Sequence, residues 1–316
     1  MDPTRPLISV VIPCYNQGRY LMEAIESAAS CGYPTQIIVV DDGSTDDSSA
    51  IAMGLESVTL IRQENGGLAS ARNRGLTAAI GEFVVFLDAD DRLLPDGIDA
   101  GARTLVAHPD CAMAYGRCVM MGPDGEFWPT PEQPVVLSDH YGALLRSNRI
   151  WMPAMAMFRL DPVVRAGRFR AGADAAADYD LYLRIARQHP IHDHGEVVAA
   201  YRRHGTSMSG NATRMLRDTL TVMRRHRADA ARAGRLDAWR EGYAAWQDFY
   251  GTQLVEEIRA LLRAGELWMA VRKAIVMAWL APRVFARELG RKIRNAYAGR
   301  AIPAAEISAA TILADS

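Results

Sequence analysis

The segment Asp88-Ala89-Asp90 places two carboxylates at i and i+2 directly after an apolar run. Hard oxygen ligands at that spacing converge in a turn and suit Mg²⁺ or Mn²⁺ bridging a pyrophosphate. Such an ion neutralises charge that develops on a leaving phosphate. Acidic turns also cap helices, and Asp90 or Asp91 is placed to cap one starting near Leu93. Asp41-Asp42-Gly43-Ser44 ends a second apolar run. A carboxylate there can accept hydrogen bonds from a nucleobase edge or a ribose, or close an Asx turn. Residues 65–73, Asn-Gly-Gly-Leu-Ala-Ser-Ala-Arg-Asn, form a glycine turn that feeds a helix. Gly66 and Gly67 allow close backbone approach of a ligand, and Arg72 can pair with a phosphate or a base carbonyl. Pro13-Cys14-Tyr15-Asn16 is a further polar cluster after an apolar run. No G-x-G-x-x-G follows the first run, which argues against a dinucleotide fold, and the absence of G-x-x-x-x-G-K-[ST] excludes a P-loop.

The elements that position these residues alternate. Residues 7–12, 36–40, 58–62 and 83–87 are short apolar, mostly β-branched runs that read as buried parallel strands. Helical spacing marks residues 20–29, 46–55 and 68–79, the second with Ser44, Thr45 and Asp46 as candidate caps. Strands alternating with helices of this length imply right-handed βαβ units and a mostly parallel α/β sheet covered on both faces. Ligands of such sheets sit at the carboxyl ends of the strands, where three of the polar clusters fall. Residues 111–210 are less regular, with a turn at residues 122–125 and a helix from about 178 to 187. From about Asn211 the chain reads as all helical. One stripe is Leu216, Leu220 and Met223. A longer one runs from Leu236 to Leu261 at spacings of three and four. Arg-Ala-Gly-Arg-Leu at 232–236 is echoed by Arg-Ala-Gly-Glu-Leu at 263–267, a hint of repeated helical hairpins.

Taken in order, Pro13-x-Tyr15-Asn16, Asp41-Asp42-Gly43-Ser44-x-Asp46, Asn65-x-Gly67-x-Ala69-x-Ala71-Arg72-Asn73 and Leu87-Asp88-Ala89-Asp90-Asp91 resemble the inverting family 2 glycosyltransferases of GT-A fold. The resemblance covers about residues 7–210. It implies a nucleotide-sugar donor, a UDP-sugar favoured, held by Pro13, Tyr15, Asn16, Asp42, Gly67, Arg72 and Asp88. It further implies Mn²⁺ or Mg²⁺ on Asp90, with Asp88 nearer the nucleotide. Ala177-Asp178-Tyr179-Asp180-Leu181-Tyr182-Leu183-Arg184 matches the family's acidic pair before a Leu-Trp-Leu-Arg helix, with Ala177 in place of Glu and Tyr182 in place of Trp. The match assigns Asp178 as the general base, with Asp180 as the alternative. Tyr201-Arg202-x-His204 resembles the segment that closes the donor site, which makes His204 a metal or diphosphate contact. His192 and His194 read as loop residues. Trp151 and Trp128 are candidates for stacking on an acceptor sugar, a saccharide or lipid-linked saccharide of cell-surface glycan assembly. The alternatives are a nucleotidyltransferase using the same Asp pair and a non-catalytic scaffold that binds partners through the helical region.

The 316 residues are 49% hydrophobic and 23% charged, enough apolar surface for a large core. The expected division is a catalytic domain over 1–210 (donor half 1–110, acceptor half 111–210), a helical region over 211–302 and a flexible tail over 303–316. The net charge of −1 conceals an asymmetry: residues 211–316 hold 18 Lys+Arg against 11 Asp+Glu, and residues 1–210 hold 18 against 26. An acidic front suits a divalent cation, and a basic rear suits phosphates or an anionic membrane surface. The basic C-terminal helices are thus candidates for peripheral membrane contact or homo-oligomer packing. With no nucleic-acid-binding module and a pI of about 6.7, nucleic acid is not an expected partner. Four cysteines without paired spacing, and the lack of a signal-like start, point to the cytoplasm, with the inner membrane face as an accessory location.

Overall fold

Residues 8–14, Ile-Ser-Val-Val-Ile-Pro-Cys, are buried without interruption, as a strand at the centre of a sheet covered on both faces must be. In the computed structural model, which describes residues 5–205 and 208–298, this run is β1 (Ile8–Cys14). It is followed by α1 (Gly18–Ala29), β2 (Thr35–Asp41), α2 (Ser48–Met53), β3 (Val58–Arg62), α3 (Leu68–Ala78) and β4 (Phe83–Phe86). Next come β5 (Arg92–Leu93), α4 (Gly97–Ala107), β6 (Met113–Met121), β7 (Phe127–Trp128), α5 (His140–Arg146), β8 (Ala156–Arg159), α6 (Leu160–Arg165), α7 (Ala177–Gln188) and β9 (Ile191–Arg202). Helices α8 (Ala212–Arg232), α9 (Leu236–Arg263), α10 (Leu267–Leu280) and α11 (Pro282–Ala298) complete the described chain.

The strand order is β3-β2-β1-β4-β8-β6-β9-β5, with β7 beside β6. The first four strands are mutually parallel. Beyond β4 the sheet becomes mixed: β8 runs antiparallel to β4 and β6, and β9 parallel to β6. β1 sits between β2 and β4, so the chain reverses its direction of winding there, the place where open α/β sheets leave a crevice. Register aligns the strand ends: Cys14 lies opposite Asp41, Asp42 N–H donates to Cys14 O (2.8 Å), and Leu87 N–H donates to Val11 O (2.9 Å). The residues just past β1, β2 and β4 are therefore neighbours.

Several sequence expectations shift. Leu93 lies in β5 and the next helix begins at Gly97, so neither Asp90 nor Asp91 caps it. The second helix is shorter than 46–55, and Asp46 instead accepts hydrogen bonds from Gly18 and Ser48. His192 and His194 belong to β9 rather than to a loop, and the His192 ring stacks on His108 at 4.3 Å.

The described residues divide into two compact units, one ending at Trp246 and the other beginning at Gln247. The sequence placed a boundary at 210, but α8 is fastened to the first unit. Its His226 pairs with Asp180 (3.1 Å), and its Asp218 accepts from Ala175 N–H (3.2 Å). The tail expected over 303–316 lies outside the described residues. The pentapeptide echo is a repeated helix ending. Gly234 (φ 66°) and Gly265 (φ 78°) take the left-handed conformation that glycine tolerates. In each copy the next residue's N–H bonds five residues back (Arg235 to Ala230, 2.7 Å; Glu266 to Leu261, 2.9 Å) and the glycine N–H bonds three back. That is the Schellman pattern.

Candidate active site

A cavity of about 640 Å³ opens at the carboxyl ends of the parallel strands, within the range of small-ligand sites. Pro13, Tyr15, Asn16, Asp42, Gly67, Arg72, Asp88, Asp90 and Asp178 all line it, as does Trp151. Trp128 does not: it is 42% exposed on β7, and its indole N–H donates to Glu126.

The donor-side loops are fastened to one another. Asn16, in the left-handed region (φ 53°), accepts from Thr45 N–H (2.8 Å) and donates its own N–H to Ser44 Oγ (3.0 Å). This ties the loop after β1 to the loop after β2. Asp42, only 3% exposed, accepts from Gly66 N–H and Gly67 N–H (both 2.9 Å) and from Gln63 Nε2 (2.7 Å). Its carboxylate thus holds the glycine turn that opens α3. Gly67 has φ 85°, and a Cβ there would lie 3.0 Å from Asp174 Oδ2, so the opposite wall approaches the turn closely. Beneath Asp42, the buried Asp41 accepts from Ser44 N–H and from Ser49 Oγ. Burial raises the Asp41 carboxyl pKa, but the bonds from Ser44 and Ser49 outweigh burial and the net shift is downward.

Arg72 enters from α3 and is 2% exposed. Its guanidinium donates to Asp88 Oδ1 (2.7 Å) and stacks 5.3 Å from the Phe169 ring. Burial pulls the Arg72 pKa down, yet the Asp88 and Asp178 carboxylates hold it above its ordinary value. Burial pushes the Asp88 carboxyl up, Arg72 draws it down, and Asp90 pushes it up again; the net shift is upward. Among the described residues, Arg72 Nε and the Tyr182 hydroxyl are buried without a hydrogen-bond partner. Buried polar atoms without a partner are uncommon in folded proteins.

Asp90 Oδ2 lies 2.8 Å from His204 Nε2, and the His204 ring rests 5.1 Å from Tyr20. Arg202, 1% exposed, organises this corner. It donates Nε–H to the Asp90 carbonyl (2.7 Å), NH1 to the Pro123 carbonyl (2.9 Å) and NH2 to Glu23 (2.6 Å), and lies 4.6 Å over the Tyr20 ring. Its backbone N–H donates to Asp91 Oδ1 (2.8 Å). Asp91 is almost fully buried, and burial with the nearby Asp90 and Asp88 drives its carboxyl well upward against Arg202.

Asp178 and Asp180 part company. Asp178 faces the cavity from the first turn of α7, and one of its oxygens accepts from Tyr179 N–H (2.8 Å). Burial raises its pKa; Arg72 opposes and Asp88 reinforces, with a net upward shift. Asp180 points into the core at 0% exposure, held by Arg184 Nε (2.8 Å) and His226 Nε2 (3.1 Å). Burial works against its charge, but His226 and Arg184 win and its pKa is lowered. Asp178 has the access that a base needs, and Asp180 has the partners of a structural anion.

The donor set suits a hard divalent cation shared with a ligand. Among the described residues no three His, Cys, Asp or Glu side chains form a closed cage. Asp88 and Asp90 line the cavity, and His204, which does not line it, is bonded to Asp90; ions such as Mg²⁺ bind through one or two carboxylates plus substrate phosphates. Asp174, Met208, Arg214 and Met215 also line the cavity, and no motif or spacing in the sequence marked them as site residues. The anchoring role of Arg202 was not marked either. Only the Tyr-Arg-x-His spacing at 201–204 pointed toward that residue.

Residues 9–164 match the family described as Glycosyl transferase family 2. The glycosyltransferase GlyG of Streptococcus pneumoniae serotype 4 is 46% identical over 91 residues, which is 27% of this chain and 30% of GlyG. The matched stretch spans about a third of the length of the first curated relatives, 30% and 34%. Among solved structures, TarS 1-349 of S. aureus in complex with UDP superposes with TM-score 0.60 at 21% identity, covering 89% of this chain and 87% of that one. The mannosyltransferase PcManGT of Pyrobaculum calidifontis, in complex with GDP-Man and Mn²⁺, gives TM-score 0.59 at 22% identity, covering 90% and 86%. These likenesses establish the fold as GT-A-like, a mixed α/β sheet with a C-terminal helical region.

Proposed function

The chain belongs to the family 2 glycosyltransferases, and on that premise we propose that it moves a sugar, with inversion, from a nucleotide-diphosphate sugar to a hydroxyl of a saccharide or lipid-linked saccharide in cell-surface glycan assembly. The carrying observation is one cavity lined by an accessible carboxylate, Asp178, and by the Asp88–Asp90 pair, with His204 bonded to Asp90. A UDP-sugar is the favoured donor, by analogy with the UDP complex of TarS.

Asp90 and His204, with Asp88 beside them, would hold Mn²⁺ or Mg²⁺. The bound ion supplies neutralisation of the negative charge on the departing diphosphate. The remaining work belongs to the chain. Asp42 and Asn16 fix the loops against which the nucleoside lies, and Arg72 orients Asp88. Asp178 accepts the proton of the acceptor hydroxyl as that oxygen bonds to the anomeric carbon. The bond from that carbon to the diphosphate oxygen breaks on the opposite face, and the nucleoside diphosphate leaves with the electron pair. One in-line displacement inverts the configuration. An upward-shifted carboxyl is a stronger base than an ordinary aspartate. Trp151 offers a flat apolar face to the acceptor sugar.

A nucleotidyltransferase using the same Asp pair has no role for Asp178. The test is the configuration of the sugar first released from α-linked donors, followed by ¹H NMR with UDP-glucose, UDP-N-acetylglucosamine and GDP-mannose. A β-anomer formed first is the expected result. Retained configuration contradicts the reading, and so does formation of sugar 1-phosphate and nucleoside triphosphate, in place of nucleoside diphosphate release, when pyrophosphate is added.

A further inference from the structure

Helix α10 is apolar on two opposite sides, which a helix in a water-soluble unit has no need to be. One side, with Ala270, Met277 and Leu280, is buried. At 100° per residue, Trp268, Val271, Ile275 and Trp279 fall on one stripe opposite it. That stripe faces solvent: Trp268 is 72% exposed, Ile275 64% and Trp279 77%. Scattered exposed apolar residues are ordinary, but a stripe with a tryptophan at each end is not. The charge on α10 and α11 is mainly basic. Helices α10 and α11 contain seven Lys or Arg and a single acid, Glu288. Lys273, Arg287 and Arg291 are paired with Glu257, Asp248 and Glu288. Arg272, within the stripe, and Arg283, four residues beyond Trp279, have no acidic partner within 4 Å among the described residues.

We propose that this stripe of α10 lies on the surface of an anionic lipid bilayer, with the tryptophans at headgroup depth and Arg272 and Arg283 on lipid phosphates. Aromatic ends with flanking basic residues suit the interface between headgroups and acyl chains. No described helix is long and apolar enough to cross a membrane, so the contact is in-plane. A second copy of the chain fits the face less well. Pairing two such faces would bring like charges together, whereas the centres of protein interfaces are depleted of charge.

The test uses the full chain in co-sedimentation with vesicles of phosphatidylcholine alone and with about one-third phosphatidylglycerol, at about 0.1 M and 0.5 M NaCl. The expected result is binding to the anionic vesicles that weakens with salt. The double variant Trp268→Ser/Trp279→Ser should partition at least about tenfold more weakly, since the apolar area it inserts is largely gone. Arg272→Gln/Arg283→Gln should lose about fivefold per charge on anionic vesicles only. Both pairs are surface changes, so the melting temperature should stay at the wild-type value. No binding to anionic vesicles at low salt overturns the proposal. So does unchanged binding of the tryptophan variant at wild-type melting temperature. A wild-type dimer that this variant converts to a monomer, with no lipid binding by either, assigns the face to a second copy instead.

Discussion

Two aspartates separated by one residue on α7 offer a matched pair of isosteric substitutions with opposite consequences. Asp178→Asn removes a carboxylate that lines the cavity and whose ionisation burial opposes. Its folded pKa lies above the unfolded value, so its contribution to stability is full below the unfolded pKa and is lost as pH rises through the folded one. At neutral pH the charged form therefore opposes folding, and the amide should leave the melting temperature unchanged or raise it. The loss falls on catalysis: a positioned general base contributes about 10²- to 10⁴-fold, which is about 3–5 kcal/mol in the barrier. Asp180→Asn does the reverse. It removes the buried anion that Arg184 Nε (2.8 Å) and His226 Nε2 (3.1 Å) share. Breaking a buried pair from one side costs about 3–5 kcal/mol. Asn keeps one carbonyl acceptor and Arg184 keeps the Ala166 and Arg168 carbonyls, so the cost should fall near 3 kcal/mol, about 6–12 °C for a unit of this size. Differential scanning fluorimetry read beside nucleoside-diphosphate release separates the two. The reasoning is refuted if Asp178→Asn keeps wild-type turnover, or if Asp180→Asn abolishes turnover at an unchanged melting temperature.

Other expectations follow from the same geometry. The acid limb of the kcat profile should lie above the ordinary carboxylate range, because Asp178 is shifted upward; a limb at or below that range assigns the proton transfer elsewhere. Acid unfolding should be blunted in Asp180→Asn, since a lowered carboxyl stabilises above its unfolded pKa and that stability is lost as pH falls through the folded one; a wild-type acid transition contradicts this. Arg202→Met leaves the Asp90 and Pro123 carbonyls without their donor and should weaken Mn²⁺-dependent nucleotide binding about 10- to 100-fold, as loss of ligand-supporting contacts does. Calorimetric titration of that variant at unchanged affinity would remove Arg202 from the site.

What the sequence made legible was local. Parallel strands buried on both faces read as continuous apolar runs, and residues 8–14, 37–40 and 83–86 are largely such runs. The polar residues that end them, Asn16, Asp42 and Asp88, stood out for the same reason and do line one cavity. The mixed half of the sheet was obscure because β8 and β6 are set by antiparallel pairings between distant segments, such as Val84 with Phe158, and their short runs carry no periodic signal of their own. The supporting bonds were hidden by distance too. Arg202 reaches Glu23 across 179 residues, and His226 reaches Asp180 across 46. The choice between Asp178 and Asp180 rests on the second of these contacts, which no spacing rule reveals.

In the proposed mechanism this cavity binds the nucleotide of a sugar donor through Asp90 and an attendant divalent ion. Its most direct test is a thermal-shift measurement of the full chain with UDP, GDP, dTDP, CDP and CMP, each with and without Mn²⁺, alongside Asp90→Ala. A ligand at a hundred times its Kd stabilises the folded state by about 2.7 kcal/mol, which shifts melting by several degrees. One nucleoside diphosphate, UDP foremost, should give that shift only with Mn²⁺ and only with Asp90 in place. A flat panel, or an equal shift in Asp90→Ala, contradicts it.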